Sequence, residues 1–245
     1  MPRNGTVHIG TSGWHYRHWK GVFYPEGLKD ADQLAYYTRS FATVELNNPF
    51  YRVPLETTFE KWKATAPRDF LFSVKANRRI THYSKLGGIA EFTDGFIQRA
   101  ARLGRKLGPI LFQLPPFWTV HTQRLATFIT TLPRGHRYVF EFRNHSWYIP
   151  EVYDILSRHN CAFCIYELAG HLSPIEITAD FVYVRLHGPG EKYQGSYSDT
   201  ALAGWAEHCH QWRKAGKDVF FYFDNDQHAY AVDNAKKLIE LTALP

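Results

Sequence analysis

The sequence predicts a single domain, residues 1–245, folded as a closed eight-stranded parallel β/α barrel, and three observations carry that expectation. The chain has 245 residues, close to the roughly 250 typical of such barrels. Eight short runs rich in Val, Ile, Phe and Tyr are mostly separated by helical patterns, with no Asn-Gly hairpin signal between neighbouring runs. Each run alternates an apolar phase with a second phase, whose polar residues in most runs gather near the carboxyl end, where barrel enzymes keep their chemistry. An open doubly wound sheet shows the same alternation; the number eight favours closure.

In order, the first strand covers residues 6–10, followed by a long polar and aromatic loop. A helix pattern begins near Asp30, with Leu34, Tyr37 and Phe41 at helical spacing. Residues 43–47 form the second strand, and Pro54 suits the first turn of a helix through Phe59, Trp62 and Ala66. The third strand is 70–76. A helix from about Thr93 to Leu107 leads through Gly108-Pro109 to the fourth strand, 110–114, which Pro115-Pro116 ends because proline cannot donate to a ladder. Residues 121–132 are helical, the fifth strand opens at Tyr138, and Pro150 starts a helix to about His159. The sixth strand is 162–167. The connection 168–180 is too short and irregular for a full helix, so the helix after the sixth strand is expected to be degenerate or missing. The seventh strand, 181–187, precedes a glycine-bearing loop and a helix capped near Ser198 that runs to about Ala215. The eighth strand, 218–224, and a helix over 229–241 complete the chain.

Hydrophobic residues make up 44% of the chain and aromatics 16%, enough for a large core. No linker or low-complexity tract divides it. The beginning of the sequence is not apolar and no run is long enough to span a bilayer, so a soluble, cytoplasmic protein with no membrane partner is expected. Three cysteines cannot all pair. Cys161-Ala-Phe-Cys164 has redox spacing, but on a strand the two thiols face opposite ways, which marks packing cysteines. The net charge of +6 permits an anionic small molecule or nucleic acid as partner without demanding one.

The polar phase nominates four carboxylates, Glu45, Glu141, Glu167 and Asp224, and three cations, Lys75, Arg143 and Arg185, with Asn47, Gln113 and His187 beside them. Burying an ion costs several kcal/mol, on the order found after relaxation, unless it is paired. Such a set is either a self-neutralising plug or the lining of a pocket. Apolar side chains fill a barrel interior at less cost, so a pocket is expected. Arg143, Arg185 and Lys75 suit a phosphate or carboxylate, with Glu141 or Asp224 as general base and His187 as general acid. The loop after the seventh strand adds Gly188, Gly190, Gly195 and Tyr193 where barrels often bind phosphate. Interleaved cations argue against a multi-metal centre; one Mg²⁺ or Mn²⁺ on two carboxylates stays open, none being required. His15-x-x-His18 and His208-x-His210 lack a matching second pair and are read as non-ligands. Lys75 at a strand end also fits a Schiff-base lyase or isomerase acting on a sugar-like carbonyl compound, although neighbouring carboxylates favour a plain ion-paired lysine. Trp14, Tyr16, Trp19, Phe117, Trp118, Trp147 and Tyr148 follow strand ends, with Arg17, Arg52, Arg78 and Arg79 among them. That interleaving fits a non-catalytic nucleic-acid-binding module and equally a surface that stacks sugars, while aromatics in long loops often simply pack.

Motifs along the whole chain carry a resemblance. They are Ile9-Gly-Thr-Ser-Gly-Trp14, Phe23-Tyr-Pro25, Val44-Glu-Leu-Asn47 with Phe50-Tyr51, Lys75, and Ile80-Thr-His82. Further on come Leu111-Phe-Gln-Leu-Pro-Pro116, Phe140-Glu-Phe-Arg143 with Ser146-Trp147, Val182-Tyr-Val-Arg-Leu-His-Gly188, and Tyr222-Phe-Asp-Asn-Asp226. In these the sequence resembles the YecE-like family, domain of unknown function 72. The resemblance implies a TIM-like barrel and supplies no activity; the likening of that barrel to endonuclease IV points to nucleic acid by fold analogy alone. The chain departs from the family pattern at Asn47-Asn48-Pro49, at Glu167 in place of an aspartate, and at Asp224 in place of an asparagine.

Overall fold

β-Branched and aromatic side chains fit a pleated, packed surface, and the runs nominated as strands adopt that conformation. The computed structural model describes residues 4–243. The strands are β1 (Val7–Thr11), β2 (Thr43–Leu46), β3 (Leu71–Lys75), β4 (Leu107–Leu114), β5 (Tyr138–Phe142), β6 (Ala162–Leu168), the two-residue β7 (His171–Leu172), β8 (Phe181–Leu186) and β9 (Asp218–Phe223). Hydrogen-bonded neighbours run β1-β9-β8-β6-β5-β4-β3-β2, with β7 attached antiparallel to β6. A parallel bridge between Ser12 and Glu45 links the two ends of that path. This cyclic order of eight parallel strands, alternating with helices, is that of a nearly closed β/α barrel, the fold class expected.

Two compact units divide the described residues. The first holds those up to Glu45, Ile165–Ile175, and those from Asp180 onward; the second holds Leu46–Cys164 and Glu176–Ala179. In the first, β9 lies between β1 and β8, with Gly10 opposite Tyr222 and Arg185 opposite Tyr222 on its other side. Gly10 is required by proximity: a Cβ there would sit 2.3 Å from the Thr43 carbonyl oxygen. The helix α1 (Gln33–Tyr37) is short and follows a 3₁₀ turn over Asp30–Asp32, so Phe41 packs from beyond its end. A longer helix, Asp199–Lys214, buries Leu202, Trp205, Cys209 and Trp212, and the Ser198 hydroxyl caps it by accepting from the Ala201 amide at 3.2 Å.

In the second unit β4 pairs with β3 and β5. Phe112 stacks on Phe140 at 5.3 Å and meets Phe128 edge-on at 5.2 Å. The expected helix over 93–107 is shorter: Ala90–Ala100 is α-helical, Ala101–Lys106 is 3₁₀, and Gly104 breaks the spiral at φ +60°. β4 therefore starts at Leu107 and takes Gly108 and Pro109 into the strand. The helix expected from Pro54 begins at Glu56. Short turns that the sequence does not announce include a helical one over Asn48–Tyr51, a π-helical one over Arg79–Tyr83 and a 3₁₀ one over His145–Trp147.

Among the described residues no helix lies between β6 and β8, as expected. Hydroxyls do part of its work. Thr178 Oγ1 accepts from the Phe163 amide at 2.8 Å and donates to the Cys161 carbonyl at 2.7 Å. In the first unit, Ser173 Oγ accepts from the Tyr166 amide at 2.9 Å. Cys161, Cys164 and Cys209 are buried thiols that form no disulfide with one another, and burial pushes the Cys161 and Cys209 thiols up to about 12. No helix among the described residues is long and apolar enough to cross a membrane.

Because Phe112 is fully buried among rings, Phe112→Ala is expected to cost about 3–5 kcal/mol. Urea unfolding followed by circular dichroism measures it; a loss under about 1 kcal/mol would contradict the packing.

Candidate functional site

The carboxyl ends of β1, β2, β8 and β9 carry polar residues for a shared reason. Their apolar phase, Ile9, Val44, Val184, Leu186, Phe221 and Phe223, is buried, which leaves the alternate positions to the other face. In the first unit these positions build one ionic array. Glu45, fully buried, accepts from the Ser12 hydroxyl, from Tyr183 Oη at 2.6 Å, and from Arg185 Nε and Nη2 at 3.1 and 2.8 Å. The same Arg185 Nη2 reaches Asp224 Oδ2 at 3.3 Å, and Asp224 Oδ2 lies 2.9 Å from His187 Nδ1. Arg185 thus carries two carboxylates, and Asp224 lies between it and the His187 imidazole. Tyr193 meets the His187 ring edge-on at 5.5 Å and donates its amide to the His187 carbonyl at 2.6 Å.

Asp226, two residues beyond Asp224, was not nominated. Its carboxylate accepts from Trp19 Nε1 at 2.6 Å and lies 3.0 Å from His18 Nε2. Burial pushes its carboxyl up to about 6, with the Asp224 charge adding, against the lowering contacts of Trp19 and His18. The motif ending at Asp226 was the available signal. Glu167, half-buried, is raised by burial and lowered by its hydrogen bond with Tyr197.

The second unit holds the remaining nominees. Glu141 is fully buried and accepts from Arg143 Nε, with Cys164 Sγ at 3.8 Å from its other oxygen. Lys75 Nζ lies 4.5 Å over the Phe50 ring, and His82 meets that ring edge-on at 5.1 Å. Burial, then the Lys75 and Arg78 charges, lower His82 to about 4. Gln113 donates to the Leu114 carbonyl at 2.8 Å. Asn47 follows β2 and precedes the Asn48–Tyr51 turn.

Two expectations are corrected. Of the aromatics after strand ends, Trp19, Trp118 and Trp147 are buried; the Trp147 indole donates to the Trp118 carbonyl at 2.8 Å, so these rings are packed and unavailable for stacking. Trp14 is half-buried, its carbonyl accepting from Tyr24. The glycine loop after β8 spends its amides on the protein: Gly188 on Tyr197 Oη at 3.0 Å and Gly195 on Gln227 Oε1 at 3.2 Å. No group of three or more His, Cys, Asp and Glu side chains poised for a metal ion occurs among the described residues.

The family described as Protein of unknown function DUF72 matches residues 8–245. The chain is 26% identical over 272 residues to the UPF0759 protein YunF of Bacillus subtilis (strain 168), covering 96% of this chain and 94% of that protein. It is similar to the crystal structure of a DUF72 family protein from Thermotoga maritima MSB8, at 28% identity and a TM-score of 0.88, over 97% of this chain and 99% of that one. A DUF72 family protein from Enterococcus faecalis V583 shares the fold at 17% identity, with a TM-score of 0.84 over 98% and 96% of the two chains.

Arg185→Met is expected to destabilise by about 3–5 kcal/mol, because it strands a buried Glu45 charge, and adding Glu45→Gln should restore part of the loss. Denaturant titration of the two variants tests this; additive losses would contradict the pairing. For Asp226 the sign is the opposite of an ordinary salt-bridged carboxylate. Its folded value, about 6, exceeds the ordinary 3.8, so its stabilising contribution is full below 3.8 and is lost as pH rises through about 6. Asp226→Asn should therefore gain stability relative to the parent as pH rises across that window, read from melting temperatures at stepped pH.

Proposed function

Since the chain belongs to the DUF72 family, as its motifs indicated, and that family's description assigns no activity, we propose that this protein is an enzyme, hydrolase-like, acting by proton transfer on a phosphate-bearing ligand. The Asp224–His187 contact of 2.9 Å carries the reading. With a carboxylate beside Nδ1, Nε2 is the nitrogen left to give or take a proton. Asp224 is the positioning residue, held in turn by Arg185 and, through it, Glu45. Asp226, with its carboxyl near 6, is a second group poised to donate close to neutrality. Glu141, tied to Arg143, is less suited to the general-base role.

Support for an anionic ligand comes from charge. The chain is net positive, and in the second unit Lys75 and Arg78 add to the burial that lowers His82. Arg185 and Arg143 already hold carboxylates, so they are poorer anion forks than their residue type implies. The Schiff-base alternative gains nothing from Lys75, whose ammonium rests on the Phe50 ring face, a contact that favours the cation.

Chromogenic phosphate mono- and diesters test the proposal. His187→Gln is expected to lower kcat by about 10²–10⁴-fold with the fold retained. Turnover unchanged in His187→Gln would remove the proton-transfer role, and no turnover of any phosphoester would remove the ligand class.

A further inference from the structure

Three loops of the second unit, those after β2, β3 and β4, share a composition. Residues 46–55, 76–90 and 115–124 contain no Asp or Glu, yet carry Arg52, Arg78, Arg79, Lys85 and Arg124. They are also where large rings stand in solvent: Tyr51 is 66% exposed, Tyr83 68% and Phe117 69%. Tyr193, in the first unit, is exposed as well but less so, and each of these three rings carries a cation. The Arg78 guanidinium lies 5.7 Å from the Tyr51 ring and 5.5 Å from the Tyr83 ring, and Lys85 Nζ lies 5.6 Å from Phe117. These contacts join the loop after β2 to that after β3, and that after β3 to that after β4. Backbone order supports the row. Asn77 Nδ2 donates to the Pro49 carbonyl at 2.8 Å while its Oδ1 accepts from the Arg79 amide at 3.0 Å, fixing the π-helical turn against the Asn48–Tyr51 turn. A groove of about 490 Å³ continues from Tyr51 and Arg52 along Leu55 to Trp62.

We propose that this row of exposed rings and cations binds single-stranded nucleic acid. Bases stack on Tyr51, Tyr83 and Phe117, and phosphates pair with Arg52, Arg78 and Lys85. Exposed ring faces act on unpaired bases, which a duplex hides in its stack. Alternating cations match a strand that presents a phosphate beside every base, and three loops free of carboxylates do not repel it. An acidic peptide would meet the charges but would leave the rings in water. This surface shares no residue with the Asp224–His187 array, so either assignment can fail without the other.

Fluorescence anisotropy of the full chain with fluorescein-labelled oligothymidylate and oligouridylate tests the proposal. Both strands are expected to bind at low salt, with log affinity falling against log salt by roughly 0.7 per phosphate paired. Tyr51→Ala and Tyr83→Ala should each weaken binding on the order of tenfold. Tyr83→Phe, which keeps the ring, should restore it, and circular dichroism confirms the fold of each variant. Arg78→Ala should weaken binding and make the salt slope shallower by roughly 0.7, whereas His187→Gln should bind as the parent does. No anisotropy change at low salt, equal binding by the alanine variants, or Tyr83→Phe as weak as Tyr83→Ala would overturn it. Displacement by polyglutamate as effective as by unlabelled oligothymidylate would transfer the surface to acidic peptides. Tighter binding of duplex DNA would equally overturn the single-strand assignment.

Discussion

A carboxylate with no access to water must find its counter-charge within the fold, and Glu45 is that carboxylate. Four donors from three side chains meet it: the Ser12 hydroxyl, the Tyr183 phenol and two guanidinium nitrogens of Arg185. The arrangement ties β1, β2 and β8 together within the first unit at one spot near their carboxyl ends. It also settles what Arg185 can do. A guanidinium whose forks are occupied is a scaffold, holding Asp224 beside the His187 ring. Under the proposed function, such supporting contacts keep a proton-transfer group within tight tolerances.

The two units differ in electrostatic character. In the first unit Arg185 holds Glu45 and Asp224, and burial raises the carboxyl of Asp226, with the Asp224 charge adding. The second concentrates cations around His82, where burial and two positive neighbours together keep the imidazole neutral well below its ordinary range.

Much of the fold was legible because alternation and punctuation are local signals. The strand positions followed from period two, and the missing helix after β6 from the length of its connection. The helix ending at Ala100 was not legible, since only the structure shows Gly104 turning left-handed and Gly108 drawn into β4 close to Phe72. Ionic partners of the site were legible as a set and illegible as pairs: phase placed Glu45 and Arg185 on one face, but strand order decides which carboxylate meets which cation. The same limit leaves Trp19, Trp118 and Trp147 undecided in the sequence between stacking and packing, and the structure packs them. A tryptophan after a strand end can face solvent or fold inward, and two of these indole N–H groups find buried or partly buried acceptors, Asp226 for Trp19 and the Trp118 carbonyl for Trp147.

Gly10 deserves a last thought in terms of tolerance. With the Thr43 oxygen where a methyl would go, this position admits a hydrogen atom and nothing larger unless the backbones part. The clearance that excludes a side chain also brings the residues just past β1 close enough for Ser12 to reach Glu45. In a pool of random variants, codons for every other amino acid at that position would be depleted, however conservative they look. The smallest residue in the strand is thereby the seam along which the ionic cluster is sewn shut.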